Sequence, residues 1–133
     1  MFHILVVEDD RDLRELFCET LIDNGFNTIS AIDGADALRV LENSYVDLII
    51  TDIMMPKMDG YSLIEELRRS NITIPVLIIT AKSELIDKQK GFQSGTDDYM
   101  VKPINVNEMV LRVQALLRRA QMINDRRQTV GDT

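Results

Sequence analysis

Short runs rich in Ile, Leu and Val alternate along this chain with segments whose apolar residues recur every three to four positions. The runs Ile4–Val7, Phe26–Ala31, Asp47–Thr51, Val76–Thr80 and Tyr99–Val101 predict strands. Leu48-Ile49-Ile50 and Val76-Leu77-Ile78-Ile79 are continuously apolar rather than alternating, which marks strands covered on both faces, as in a parallel sheet. Between them, Leu13, Leu16, Phe17, Thr20 and Leu21 repeat with helical spacing, and Asn24-Gly25 supplies a stop. Ala37, Leu38 and Leu41 mark a second helix, and Gly60, Leu63, Ile64 and Leu67 a third. A fourth, with the weakest pattern, falls around Leu85–Phe92, and Val106, Met109, Val110, Val113, Leu116 and Leu117 predict the last. Alternation repeated in this way predicts an α/β domain, doubly wound around a five-stranded parallel sheet. The pattern stops after Arg119. Residues 1–119 are therefore read as one domain, and Ala120–Thr133, polar and without a sustained period, as a tail or the start of an interdomain linker.

A chain of 133 residues, 45% of them hydrophobic, fits a single domain with its own core. The one cysteine, Cys18, can form no internal disulfide. No apolar run approaches the roughly 20 residues of a membrane span. The start, Met1-Phe2-His3-Ile4, lacks the basic region of a signal peptide. The expectation is a cytoplasmic protein with no membrane partner. Of the seven methionines, all but Met54, Met55 and Met58 are expected mostly in the core. Net charge is −7, divided unevenly: residues 1–66 carry 4 basic and 15 acidic side chains, and residues 67–133 carry 11 basic and 7 acidic. The overall acidity argues against this domain gripping nucleic acid by itself.

Ligands of open α/β sheets bind outside the carboxyl ends of the strands. Those ends read Glu8-Asp9-Asp10, Ala31-Ile32-Asp33, Thr51-Asp52, Thr80-Ala81 and Lys102-Pro103. One order for five such strands is 2-1-3-4-5, which leaves the barren second end at an edge and draws the others into one crevice. Glu8, Asp9 and Asp52 would then crowd a pocket in which like charges need compensation. A hard divalent cation with oxygen ligands resolves this, and Mg²⁺ fits, with Mn²⁺ also admissible, whereas one His and one Cys make zinc a poor match. A carboxylate can also act as a nucleophile toward phosphorus, with Lys102 and Thr80 supplying positive charge and a hydroxyl donor. Each residue has a plainer reading. Asp10 suits a helix N-cap, Asp52 a turn, and Thr80 an ordinary strand end. Their joint occurrence at four strand ends favours the chemical reading.

With Val6-Val7-Glu8-Asp9-Asp10, Thr51-Asp52-Ile53-Met54-Met55-Pro56-Lys57-Met58-Asp59-Gly60, Thr80-Ala81 and Lys102-Pro103 together, residues 3 to 119 resemble the receiver domain of two-component response regulators. The resemblance implies a flavodoxin-like receiver fold in which Asp52 is the phosphoacceptor. Asp9 would be a direct Mg²⁺ ligand with Asp52, Glu8 would contribute to the metal site, and the backbone carbonyl of Met54 would complete it. Lys102 would bind phosphoryl oxygens, Thr80 and Tyr99 would form the switch, and Lys102–Pro103 is a candidate cis bond. Lys88, Asp97, Asp98, Glu108, Arg112 and Arg119, with Leu85, Phe92 and Val110, look like the dimer face of the OmpR/PhoB subfamily, against the plainer reading of a solvated charged surface.

The resemblance further implies a sensor histidine kinase as phosphoryl donor, a homodimer formed on phosphorylation, and control of transcription. DNA would be contacted only through a C-terminal domain absent from this chain. The chain would catalyse only its own phosphorylation and dephosphorylation, so it is not expected to be an enzyme in the usual sense. The alternative is a stand-alone receiver that docks on protein partners. Other rivals fit less well. A haloacid-dehalogenase-type phosphatase needs a second Asp where this chain has Met54, a flavodoxin-like flavin carrier needs a Ser/Thr-rich loop where it has Glu8-Asp9-Asp10, and a degenerate receiver would lack the full acidic, Thr and Lys set.

Overall fold

The continuously apolar runs become the two central strands, in which every residue is buried: β3 (Leu48–Asp52) and β4 (Val76–Thr80). With β1 (His3–Val7), β2 (Asn27–Ala31) and β5 (Asp98–Val101) they form an all-parallel sheet in the order β2-β1-β3-β4-β5. The computed structural model describes residues 1–81 and 97–131, with side chains described as far as Ile123. Its helices are α1 (Arg11–Asp23), α2 (Gly34–Asn43), α3 (Gly60–Arg69) and α4 (Val106–Gly131). The helix expected around Leu85–Phe92 lies outside the described residues.

Because successive strand side chains point to opposite faces, the sheet divides the core in two. Ile4, Val6, Leu48, Ile50 and Leu77 pack with Phe17 and Leu21 of α1 and with Met109, Val113 and Leu116 of α4. Leu5, Val7, Ile49, Val76 and Ile78 pack with Ala37 of α2 and with Leu63, Ile64 and Leu67 of α3. Three helices start on an aspartate whose carboxylate accepts a backbone N–H of the first turn: Asp10 from Leu13, Asp33 from Asp36 and Asp59 from Ser62. Such caps satisfy donors that a helix start leaves unpaired.

Three sequence expectations need correction. Leu16 is 44% exposed, because Leu13, Phe17 and Leu21, spaced by four, define a line on α1 from which Leu16 is rotated away. Of the methionines, Met100 and Met109 are in the core, while Met1, Met54 and Met122 are exposed. The last helix does not stop at Arg119 but continues to Gly131. An apolar stripe is needed to bury a helix, not to prolong one already nucleated, and Gln, Met and Arg are good helix formers.

Candidate functional site

The strand order brings four carboxyl ends together. Glu8 directly follows β1, Asp52 ends β3, Thr80 ends β4 and Lys102 directly follows β5. The β2 end contributes only Asp33, which caps α2. Parallel pairing aligns Asp52 with Ile79 and Thr80 with Val101, which fixes the heights of these groups relative to one another.

Carboxylate oxygens of Glu8, Asp9 and Asp52 lie within 4.8 Å of one another. Glu8 is 2% and Asp52 6% exposed, whereas Asp9 is at the surface. Lys102 reaches into the cluster: its Nζ is 2.7 Å from Asp52 Oδ2 and 3.4 Å from Glu8 Oε1. The Met54 N–H donates to Asp52 Oδ1 at 3.3 Å, and the Asp10 N–H to Glu8 Oε2 at 3.1 Å. Burial tends to strip Lys102 of its charge, but the adjoining Asp52 and Glu8 carboxylates more than offset this and raise its pKa. The Lys102–Pro103 peptide bond is cis.

Burial, reinforced by the charge of Asp52, pushes the Glu8 carboxyl from 4.5 up to about 7, against the opposing effects of the Asp10 N–H and Lys102. A carboxyl whose pKa is raised on folding contributes stability that is present below the unfolded value and lost as pH rises through the folded one. Without divalent cation, the protein should therefore lose stability between pH 4.5 and about 7 through this group, by up to about 3 kcal/mol. Glu8→Gln should match wild type near pH 4.5 and exceed it at pH 8. Denaturant unfolding of both proteins in chelator, across that range, checks this. A gap that fails to widen with pH would show that Glu8 is not held in this way.

Glycine places the loop that follows Asp52. A Cβ on Gly60 would lie 2.5 Å from the Asp52 carbonyl oxygen, so the start of α3 is pressed directly against the Asp52 backbone. The Gly60 N–H donates to the Ile53 carbonyl at 2.9 Å. On the other side, Gly34 abuts Met58, whose Cγ would lie 2.6 Å from an added Cβ. Both glycines permit close approach of backbones. The motif around Gly60 was visible in the sequence; the reason for its glycine was not.

The donor set consists of carboxylate oxygens around one point, with no nitrogen or sulfur ligand among them. It suits a hard cation such as Mg²⁺. Thr80 is fully buried, its hydroxyl donating to the Ala81 carbonyl at 3.3 Å. Tyr99 packs in the core on the α2/α3 side. Tyr99 pairs with Ile78, and Thr80 with Val101, so Thr80 and Tyr99 share one face of the sheet two positions apart.

The charged surface expected at a dimer face is largely satisfied within the chain. Arg112 donates to both Asp98 oxygens, at 3.0 and 2.8 Å, and to Glu108 Oε1 at 3.0 Å. Asp97 lies at the other end of the sheet from Asp52, accepting the Val76 N–H at 2.8 Å and pairing with Arg68 at 3.3 Å. Arg119 and Asp97 line one groove of about 700 Å³ there. Val110, placed by the sequence both in the apolar repeat of the last helix and on that face, is 6% exposed and packs in the core between α4 and the sheet. Leu85, Lys88 and Phe92 lie outside the described residues. Sequence reading missed Arg14, whose Nη1 donates to the Glu8 carbonyl at 2.8 Å, and Arg68, which donates to the carbonyls of Ile72 and Ile74 at 2.8 and 2.9 Å.

A family model described as "Response regulator receiver domain" matches residues 4–114. The transcriptional regulatory protein CpxR of Escherichia coli (strain K12) is 44% identical over 120 residues, 90% of this chain and 51% of that protein. The alkaline phosphatase synthesis transcriptional regulatory protein PhoP of Bacillus subtilis (strain 168) is 41% identical over 119 residues, 90% of this chain and 50% of that one. The chain thus spans about half the length of these relatives. Among solved structures, the receiver domain of the Francisella response regulator 1452 superposes with a TM-score of 0.85 at 37% identity, covering 90% of this chain and 99% of that one.

Proposed function

Because this chain belongs to the response regulator receiver domain family, we propose that it accepts a phosphoryl group on Asp52 from a sensor histidine kinase and changes conformation in response. The observation that supports this best is the placement of Asp52: a buried carboxylate with one oxygen on Lys102 Nζ, beside the carboxylates of Glu8 and Asp9. An Asp52 oxygen forms the new bond to phosphorus while the donor's bond to phosphorus breaks, and that electron pair leaves with the donor. Lys102 exchanges part of its contact with Asp52 for the incoming phosphoryl oxygens. Asp9 and Asp52, with Glu8 and the Met54 carbonyl, would hold Mg²⁺ or Mn²⁺, which when bound supplies further positive charge to those oxygens. The chain promotes its own phosphorylation and dephosphorylation and acts on no other substrate.

Incubation with Mg²⁺ and acetyl phosphate should add a single phosphoryl group that hydroxylamine removes, as expected of an acyl phosphate. A hydroxylamine-resistant phosphate on Ser or Thr would refute the assignment.

The output is proposed to be transcriptional, as the names of the CpxR and PhoP relatives state for those proteins. Activation would act through dimerisation, with DNA contacted by a further domain and residues 120–133 leading toward it, in a cytoplasmic protein. No described helix is long and apolar enough to cross a membrane. The phosphoryl mimic beryllofluoride, with Mg²⁺, should convert a monomer to a dimer in sedimentation. Arg112 is a poor probe of that interface, since reversing it would set a carboxylate against Asp98 and Glu108 of its own chain. Arg119→Glu is the better one: it should block dimerisation and leave phosphorylation intact. An unchanged mass across a concentration series would favour the second reading, a receiver that docks on partners as a monomer.

A further inference from the structure

We propose that Arg14 is a positioning residue for the metal-binding turn, holding the backbone from which Glu8 and Asp9 project. The inference rests on the reading of the acidic cluster as a cation site and assigns a role to a side chain outside it. Glu8, Asp9 and Asp10 form the whole connection between β1 and α1. Its start is tied to β2, through the Glu8 N–H on the Ala31 carbonyl at 3.0 Å. Its end is tied to α1, where the Asp10 carboxylate accepts the Leu13 N–H and the Asp10 carbonyl accepts the Arg14 N–H. The middle is held by the Arg14 guanidinium, which turns back from α1 to donate to the Glu8 carbonyl at 2.8 Å, with the Asp9 carbonyl 3.5 Å from the same nitrogen.

This clasp matters most for Asp9. Glu8 is enclosed and further fixed by Lys102 and the Asp10 N–H, whereas Asp9 lies at the surface, so its direction depends on the backbone that carries it. The guanidinium touches carbonyls rather than carboxylates, and so orients the turn without taking up the oxygens a cation would use. Groups that orient metal ligands from outside typically change affinity by 10- to 100-fold when removed.

The charge of Arg14 and its hydrogen bonds predict opposite outcomes, which makes the proposal testable. Removing a positive charge near an anionic pocket should by itself tighten cation binding. Releasing the turn should weaken it. Mg²⁺ is titrated calorimetrically into the unphosphorylated chain as wild type, Arg14→Met and Arg14→Lys, with thermal unfolding of each in chelator. Positioning predicts about tenfold weaker Mg²⁺ binding for Arg14→Met. Arg14→Lys, which keeps the charge but carries it as a compact ammonium on a shorter side chain in place of the planar guanidinium, should fall between that variant and wild type. Arg14→Lys decides the matter even if Arg14→Met fails to fold, because any weakening there cannot come from lost charge. Binding in Arg14→Lys equal to wild type, or binding in Arg14→Met equal or tighter, overturns the proposal. A wild-type chain that binds no Mg²⁺ overturns the cation-site reading itself, and this proposal with it.

Discussion

Asp52→Asn is expected to take up no phosphoryl group from acetyl phosphate or a phosphohistidine donor, where wild type takes up one. The change is nearly isosteric, so the loss would be chemical. An amide oxygen is a far poorer nucleophile than a carboxylate, and the local contacts can largely survive: the amide oxygen can still accept the Met54 N–H that Asp52 Oδ1 accepts at 3.3 Å. The contact most altered is the one 2.7 Å from Lys102, where an amide NH2 would replace the accepting carboxylate oxygen and the ammonium would turn to Glu8 or solvent. Removing one carboxylate from the crowded cluster should also relieve repulsion. The variant should therefore fold normally in the absence of metal. Mass spectrometry before and after hydroxylamine checks the result, and an Asp52→Asn protein labelled to the wild-type level would remove Asp52 from its proposed role.

Lys102→Met should have the second largest effect, on two separate quantities. Phosphorylation by a small-molecule donor should slow by about 100-fold, the typical consequence of losing one preorganised donor to developing negative charge. Stability at pH 8 without divalent cation should fall by about 3 kcal/mol, because two enclosed carboxylates lose the cation between them. That second loss should shrink as pH falls below about 7, where Glu8 can take up a proton. Added Mg²⁺ should restore much of it by replacing the ammonium charge. Labelling rates and unfolding at both pH values separate the two effects. A Lys102→Met protein phosphorylated as fast as wild type would show that Lys102 serves only to neutralise the resting pocket.

The sheet order and the carboxylate cluster were legible in the sequence for a simple physical reason. Doubly covered strands must be apolar throughout, as Leu48-Ile49-Ile50 and Val76–Ile79 are, and the polar residues that end them have only the crevice to occupy. Long side chains were not legible. Arg14 and Arg68 act by reaching back to carbonyls of particular turns, and apolar periodicity reports which face of a helix is buried, not which carbonyl a guanidinium meets. The alternating charges Asp98, Glu108 and Arg112 fit an interface and an intrachain cluster equally well as a string of letters, and within one chain they pair with one another.

Helix α4 begins four residues after Lys102, and among the described residues Leu117 is the last that it places in the core. From there its backbone continues to Gly131, about 20 Å further at the rise of an α-helix. Such a projection behaves as a lever: a tilt of about 10° at the core would carry its far end sideways by about 3 to 4 Å without any change in the residues between. A rearrangement near Lys102 would therefore be expressed at a distance as a change in the direction of the helix.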